Sequence, residues 1–221
     1  MTARLILLLC VLFLAGCASA PFEKTLDARV INIDPTAAVN EFRESSPDNF
    51  RMLQTITFHY GPMAFSGLGF AEVDTRERTF SVVCMNHMGV KIFEVYGNKE
   101  EINAPFVMDE LKRGGNVALA VGEDIKRIYY DLVPAVDATV EKEKYRILFR
   151  QPSGKGIMEY AFAGIGYRLV EKTYYEDNIA VWRVSYYEYM DDNGKLYPGG
   201  IVMDNFRFSY RLIIRLKEIY K

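Results

Sequence analysis

The sequence predicts an α+β domain in which a wide antiparallel sheet curls around helices. Three observations carry this. Strand-like alternation fills two stretches of the chain, and a helical insert separates them. The segment "NFRFSYRLIIRLKE" alternates most clearly: Phe206, Phe208, Tyr210, Leu212, Ile214 and Leu216 share one face, while Arg207, Ser209, Arg211 and Arg215 share the other, with Ile213 the exception. A sheet with one apolar and one wet face is antiparallel, and its apolar side has to be covered.

The chain opens with "MTARLILLLCVLFLAG", a lone arginine followed by an uncharged run from Leu5 to Ala15. A helix across a bilayer core needs roughly 20 apolar residues. This run is too short to span, and its small-residue exit is that of a secretory signal. Leu14-Ala15-Gly16-Cys17 resembles the bacterial lipobox, which implies cleavage before Cys17 and diacylglycerol on its sulfur. Several acyl chains hold a protein durably, at about 0.8 kcal/mol per buried methylene. Ala18 is not the aspartate that often retains lipoproteins in the inner membrane, so the resemblance implies the outer membrane, facing the periplasm. The expected organisation is a signal over residues 1–16, a lipidated N-terminus and tether over 17–34, and one domain over 35–221.

Within that domain "DPTAAVNEFRESSP" reads as a helix, with Asp34 as N-cap, Pro35 at the first position and Pro47 beyond the end. In "MLQTITFHY", Ile56, Phe58 and Tyr60 alternate with Thr55, Thr57 and His59. "FSGLGFAEVD", "TFSVVCM" and "GVKIFEVYG" continue as strands, the last two joined through "NHMG". Gly67 and Gly69 fall on one face and leave it bare, which suits a bend or a close backbone approach. "APFVMDELKRGG" and "GEDIKRIYYDLV" have helical spacing, with a break at Gly114-Gly115 and an end at Pro134. "KYRILFRQ", "GIMEYAFAG", "YRLVEKTYY", "AVWRVSYYEY" and the final segment then read as a meander, with "MDDNGKLYPGG" as a long turn.

The composition excludes several functions. The 27 Lys+Arg and 29 Asp+Glu are interspersed without a basic run, so no nucleic-acid partner is expected. Of 3 cysteines, Cys10 leaves with the signal and Cys17 carries lipid. Cys84 alone remains, and it reads as a small packed hydrophobe. Neither of the 2 histidines, His59 and His87, has an obvious partner. The motifs H-E-x-x-H, C-x-x-C, the P-loop and the G-x-S-x-G elbow do not occur. The expectation is a non-enzymatic protein without cofactor or metal.

Two stretches carry a family resemblance. "MNHMGVKIFEV" holds an Asn, two residues, a Gly and an alternating strand where the family commonly has "NPLG". "VWRVSYYEYMDDNGKLYPGGIVMDNFRFSYRLIIRLKE" follows the family's Trp-led strand, long turn, Pro and final amphipathic strand. In these the chain resembles the LolB-like outer-membrane lipoproteins of the LolA/LolB carrier and receptor superfamily. His87 stands where proline is frequent, and the last strand lacks the usual tryptophan. The resemblance implies an incomplete β-barrel whose helices cover an apolar cavity for acyl chains. It also implies acylated cargo (a lipid or a lipoprotein), a membrane reached through the N-terminal lipid, and a periplasmic carrier protein as partner. The expected lining is Phe58, Tyr60, Phe70, Phe80, Phe93, Trp182, Val184, Tyr186, Phe208, Tyr210 and Leu212. Met88, where "NPLG" has its leucine, is the expected membrane-facing tip. The apolar face by itself fits either an open cavity or a packed core, so an envelope scaffold with a filled core stands as the alternative function.

Overall fold

A computed structural model describes residues 21–30, 33–112 and 117–220. Cys17, the rest of the signal segment and the Gly114-Gly115 break lie outside the described residues. Among the described residues twelve strands form one antiparallel sheet, open at both ends, in the order β5-β4-β3-β2-β1-β12-β11-β10-β9-β8-β7-β6.

The chain enters helix α1 at Pro35–Ser45, where the Asp34 side chain accepts from the Thr36 N–H at 3.1 Å and Pro35 fills a position that needs no donor. Its buried Ala38, Val39 and Phe42 face the sheet. A first meander follows: β1 Asn49–Tyr60, β2 Met63–Asp74, β3 Thr79–Met85, β4 Lys91–Gly97 and β5 Ile102–Val107. A one-turn helix, α2 Asp109–Lys112, and helix α3 Val117–Tyr129 come next. The second meander is β6 Thr139–Lys142, β7 Arg146–Ser153, β8 Gly156–Ala163, β9 Arg168–Glu176, β10 Ile179–Asp192, β11 Lys195–Asn205 and β12 Tyr210–Tyr220. The two meanders join where β12 pairs with β1, with Phe58 opposite Leu212 and Ile56 opposite Ile214.

The sheet is curled. Arg78, in the turn just before β3, lies 5.0 Å from the centroid of the Tyr130 ring, and Lys172 of β9 donates to the Tyr130 carbonyl at 2.7 Å. Six strand spacings separate β3 from β9, about 29 Å on a flat sheet at roughly 4.8 Å per strand. Only curvature brings both onto one tyrosine just beyond α3.

The bare stripe of β2 is filled from its neighbours. A Cβ at Gly69 would fall 2.4 Å from Cδ1 of Ile56, and one at Gly67 would fall 2.6 Å from the Met85 carbonyl oxygen. The glycines therefore admit close packing over β2. Cys84, fully buried, packs beside them, and burial pushes its thiol up to about 12.

Four expectations change. "APFV" is strand, not helix: Ile102–Val107 forms edge strand β5, where Pro105 costs no ladder bond on the free side. Helix α3 stops before Pro134, since Asp131 adopts φ 50, a left-handed helix exit. The long turn shrinks to Asn193-Gly194, and Lys195–Asn205 is strand β11. Pro198 is tolerated there because β12 pairs with β11 only from Gly200 onward, leaving one side of Pro198 without a ladder partner. Finally, Phe206–Ser209 is a turn and β12 begins at Tyr210. Strand β6 has no counterpart in the sequence reading.

Candidate functional site

One face of the sheet carries the helices, and the fastening of α3 to it is polar as well as apolar. Along α3, Val121, Asp124, Ile125 and Ile128 follow helical spacing and place one carboxylate inside an apolar stripe. The Tyr210 hydroxyl donates to Asp124 Oδ2 at 2.5 Å, and Arg127 reaches Asp124 Oδ1 at 2.8 Å. Tyr129 donates to Gln54 Oε1 at 2.9 Å, and Tyr186 donates to the Ile128 carbonyl at 2.7 Å. Beyond the helix, Lys172 holds the Tyr130 carbonyl, and Arg78 makes a two-pronged pair with Asp131 at 2.8 and 3.1 Å. Most of these bonds capture a backbone carbonyl or a charge at the end of α3, where carbonyls lack intrahelical partners.

Burial shifts the charged members. Asp124 is pushed up to about 6 by burial, against the pull of the Tyr210 hydroxyl and Arg127. Lys172 is pushed down to about 7 by burial, which Asp131 opposes and Arg78 reinforces. Tyr130 is pushed up to about 12, chiefly by burial, and its hydroxyl has no hydrogen-bond partner among the described residues. An unpaired buried hydroxyl costs about 1–3 kcal/mol.

The expected lining divides into three groups. Phe80, Phe93, Trp182, Val184 and Tyr186 are buried on the helix-bearing face. Phe58, Leu212 and Tyr210 lie on the same face, half-buried toward one end of the strands, with the Phe58 and Tyr210 rings 5.3 Å apart. Tyr60 sits at that end and is 47% exposed. Phe70 and Phe208 lie elsewhere. Phe70 faces Leu53 across the β1–β2 ladder and stacks on Tyr220 at 5.6 Å, on the opposite face of the sheet. Phe208 is 61% exposed in the β11–β12 turn. The face is also filled: Ile125, Ile128, Tyr129 and Tyr130 form one cluster with the sheet's buried side chains. His59 and His87 are exposed.

The "NHMG" tip is a tight turn built by Asn86. Its side chain accepts from the N–H groups of Met88 and Val90, each at 2.9 Å, and Gly89 takes φ 80, which a side chain would oppose. Met88 is 83% exposed and does not fold back on the sheet.

Solved structures share this architecture. The chain matches a LolA superfamily protein from Nitrosomonas europaea with a TM-score of 0.56 at 10% identity, over 85% of this chain and 93% of that one. It shares the fold of that LolA superfamily protein. A putative outer membrane lipoprotein-sorting protein domain from Vibrio parahaemolyticus matches with a TM-score of 0.51 at 8% identity, over 83% and 90% of the two chains. A DUF1329 family protein from Desulfovibrio piger gives 0.50 at 8% identity over the same shares. No protein-family model matches the chain, and no curated protein matches it by sequence.

Within this Lol-type fold, the residues that tie α3 down are those that pattern reading passed over. Lys172 sits in "YRLVEKTYY" in phase with Tyr174, on the apolar side of β9, and Asp124 interrupts the stripe of α3. A charge in phase with hydrophobes was the signal available for both. Gln54, between Met52 and Ile56 on the same face of β1, gave the same signal.

Proposed function

We propose that this protein is a lipoprotein of the Gram-negative envelope, anchored through Cys17 in the outer membrane and facing the periplasm. It takes the acyl chains of a lipid or lipoprotein cargo onto its helix-bearing face and passes them to the membrane. One observation carries the reading: on a sheet otherwise lined by Phe80, Phe93, Trp182 and Val184, helix α3 is fastened by hydrogen bonds through Tyr129, Tyr186 and Tyr210. Water re-satisfies such bonds when a helix lifts, so α3 detaches at less cost than a wholly apolar helix of the same area. The space it leaves is apolar and suits acyl chains. Met88 at the "NHMG" tip supplies a flexible thioether that inserts among lipid tails without demanding a fixed shape. A periplasmic carrier delivers the cargo, and the name of the Vibrio parahaemolyticus neighbour, a putative outer membrane lipoprotein-sorting protein domain, supports a lipoprotein as that cargo.

The packing of Ile128, Tyr129 and Tyr130 favours a second reading, an envelope interaction lipoprotein with a permanently filled core. Native mass spectrometry of protein isolated from envelopes separates the two. A bound lipid or acylated peptide at fixed stoichiometry supports the carrier, and the mass of the acylated chain alone supports the scaffold. Cys17→Ser tests the anchor: the precursor is expected to stay uncleaved and unacylated. Normal processing of that variant would remove the anchor from the account.

A further inference from the structure

Residues 21–30 fall within the stretch expected as tether, and they are bound to the domain. Phe22 is buried, stacked on Tyr187 at 5.4 Å and covered by the Arg215 guanidinium at 4.5 Å. Its seat exists because Gly200 has no side chain: a Cβ there would fall 2.3 Å from the ring. Gly200 pairs with Tyr187 on one side and Arg215 on the other, so all three residues belong to the face opposite the helices. Glu188, which takes φ 52 in β10, accepts from the Glu23 N–H at 2.9 Å and from Arg215 Nη1 at 3.3 Å, while Arg215 Nη2 holds the Pro21 carbonyl at 2.9 Å. The strap then runs to the β8–β9 turn, where Thr25 lies against Gly164, and Val30 donates to the Lys144 carbonyl at 3.2 Å.

A strap held by a fitted aromatic, two charged side chains and a left-handed backbone residue is built to stay closed. From Pro21 back to Cys17 there are four residue steps, at most about 14 Å fully extended. From Arg215 to Tyr210 there are five along β12, about 17 Å. Fully extended, the backbone at Cys17 stops about 3 Å short of Tyr210, a gap that the cysteine side chain and its glyceryl group span, so the clamp leaves the lipid no slack beyond the level of the β11–β12 turn. That turn presents Phe208 at 61% exposure and Phe206 at 43%, two phenyl rings where polar groups are usual. Its shape is fixed: Phe206 N–H donates to the Val181 carbonyl at 3.0 Å and Phe208 N–H to Asn205 Oδ1 at 3.1 Å.

We infer that the Phe22 clamp shortens the tether so that the β11–β12 turn, through Phe206 and Phe208, rests in the same lipid surface that holds the anchor. The inference rests on Cys17 being acylated, and it goes beyond the cargo reading because it holds for carrier and scaffold alike. Within similar reach along the strap, Leu26 and Ile165 at the β8–β9 turn are the competing contact, at 74% and 76% exposure. The β11–β12 turn is favoured because it lies at the same end of the strands as the exposed Tyr60, which pairs with Tyr210, whereas the β8–β9 turn lies at the other end.

The test uses the acylated full-length protein reconstituted in vesicles of brominated phospholipid, which quench tryptophan on contact. Trp182 is buried and gives a constant background. Phe208→Trp is expected to be strongly quenched and Ile165→Trp not. In the Phe208→Trp protein, Phe22→Ala or Gly200→Ala, either of which empties the seat, is expected to reduce the quenching several-fold while vesicle association persists. Equal quenching at both sites, quenching at Ile165→Trp alone, or quenching indifferent to both clamp variants overturns the inference. The intact mass reports acylation separately. An unmodified Cys17 overturns the anchor reading and the tether length with it, and the mass, not the quenching, shows which has failed.

Discussion

Lys172 lies where the alternation of β9 asks for a hydrophobe, and its amine meets one carbonyl and the Trp182 ring, 5.8 Å away. The amine gives up its proton near pH 7 in the folded chain and near ~10.4 when unfolded. Between those values the unfolded chain binds more protons, so stability rises with pH there, by up to about 1.4 kcal/mol per unit. Lys172→Met is expected to lose this rise, read as a difference between the two proteins' urea midpoints at pH 7 and 8.5. Equal slopes would place the charge elsewhere. At the rim, Met88→Glu is expected to leave folding and cargo binding intact and to slow transfer into liposomes, with Met88→Leu nearly neutral. A glutamate variant that transfers at the wild-type rate would remove Met88 from the mechanism. Met88 could be singled out from the sequence because a lone hydrophobe in a turn contradicts its surroundings. The face occupied by Phe70 could not, because β2 alternates glycine with larger residues. Apolarity alone then selects Leu68 and Phe70, whereas the ladder places Gly67 and Gly69 on the helix-bearing side.

Helix α3 is the element on which the functional reading turns, and its Asp124 offers a test of how it is fastened. The folded carboxyl titrates near 6 and the unfolded one near ~3.9. The folded chain therefore binds more protons between those values, and the contribution of Asp124 to stability is fully present below about pH 4 and is lost as pH rises through 6. Asp124→Asn keeps an acceptor for the Tyr210 hydroxyl without the buried charge. It is expected to melt at or above the wild-type temperature at pH 7.5 and to lose that advantage at pH 4.5. A variant markedly less stable at pH 7.5 would mean that the Arg127 pair outweighs burial. The existence of α3 and α1 was legible from their spacing and from the Asp34-Pro35 start. Strands β5 and β11 were not, since each contains a proline and whether a strand tolerates proline depends on which neighbour pairs at that residue. That information lies in the ladder and not in the segment.

The whole molecule is two sequential meanders sewn along one seam, β1 against β12. Its free edges are blunted by Pro105 in β5 and by the exposed Glu141 and Lys142 of β6, which discourage pairing with other chains. Ile214→Asp, which puts an unpaired carboxylate at a buried position opposite Ile56 and Ile201, is expected to cost several kcal/mol and to split the unfolding transition. A single unshifted transition would mean that the helices, not the seam, unite the halves. The antiparallel curl was legible from alternation, but the seam was not, because no local pattern pairs Thr55 with Arg215. That seam also sets a clock. At ~5–20 residues per second of synthesis, β1 waits on the order of ten seconds for its partner. Throughout that interval it offers a naked edge and a greasy side to its surroundings. Closure is thus among the last events of biogenesis, and a chain cut short within β12 is expected to be degraded before it can close.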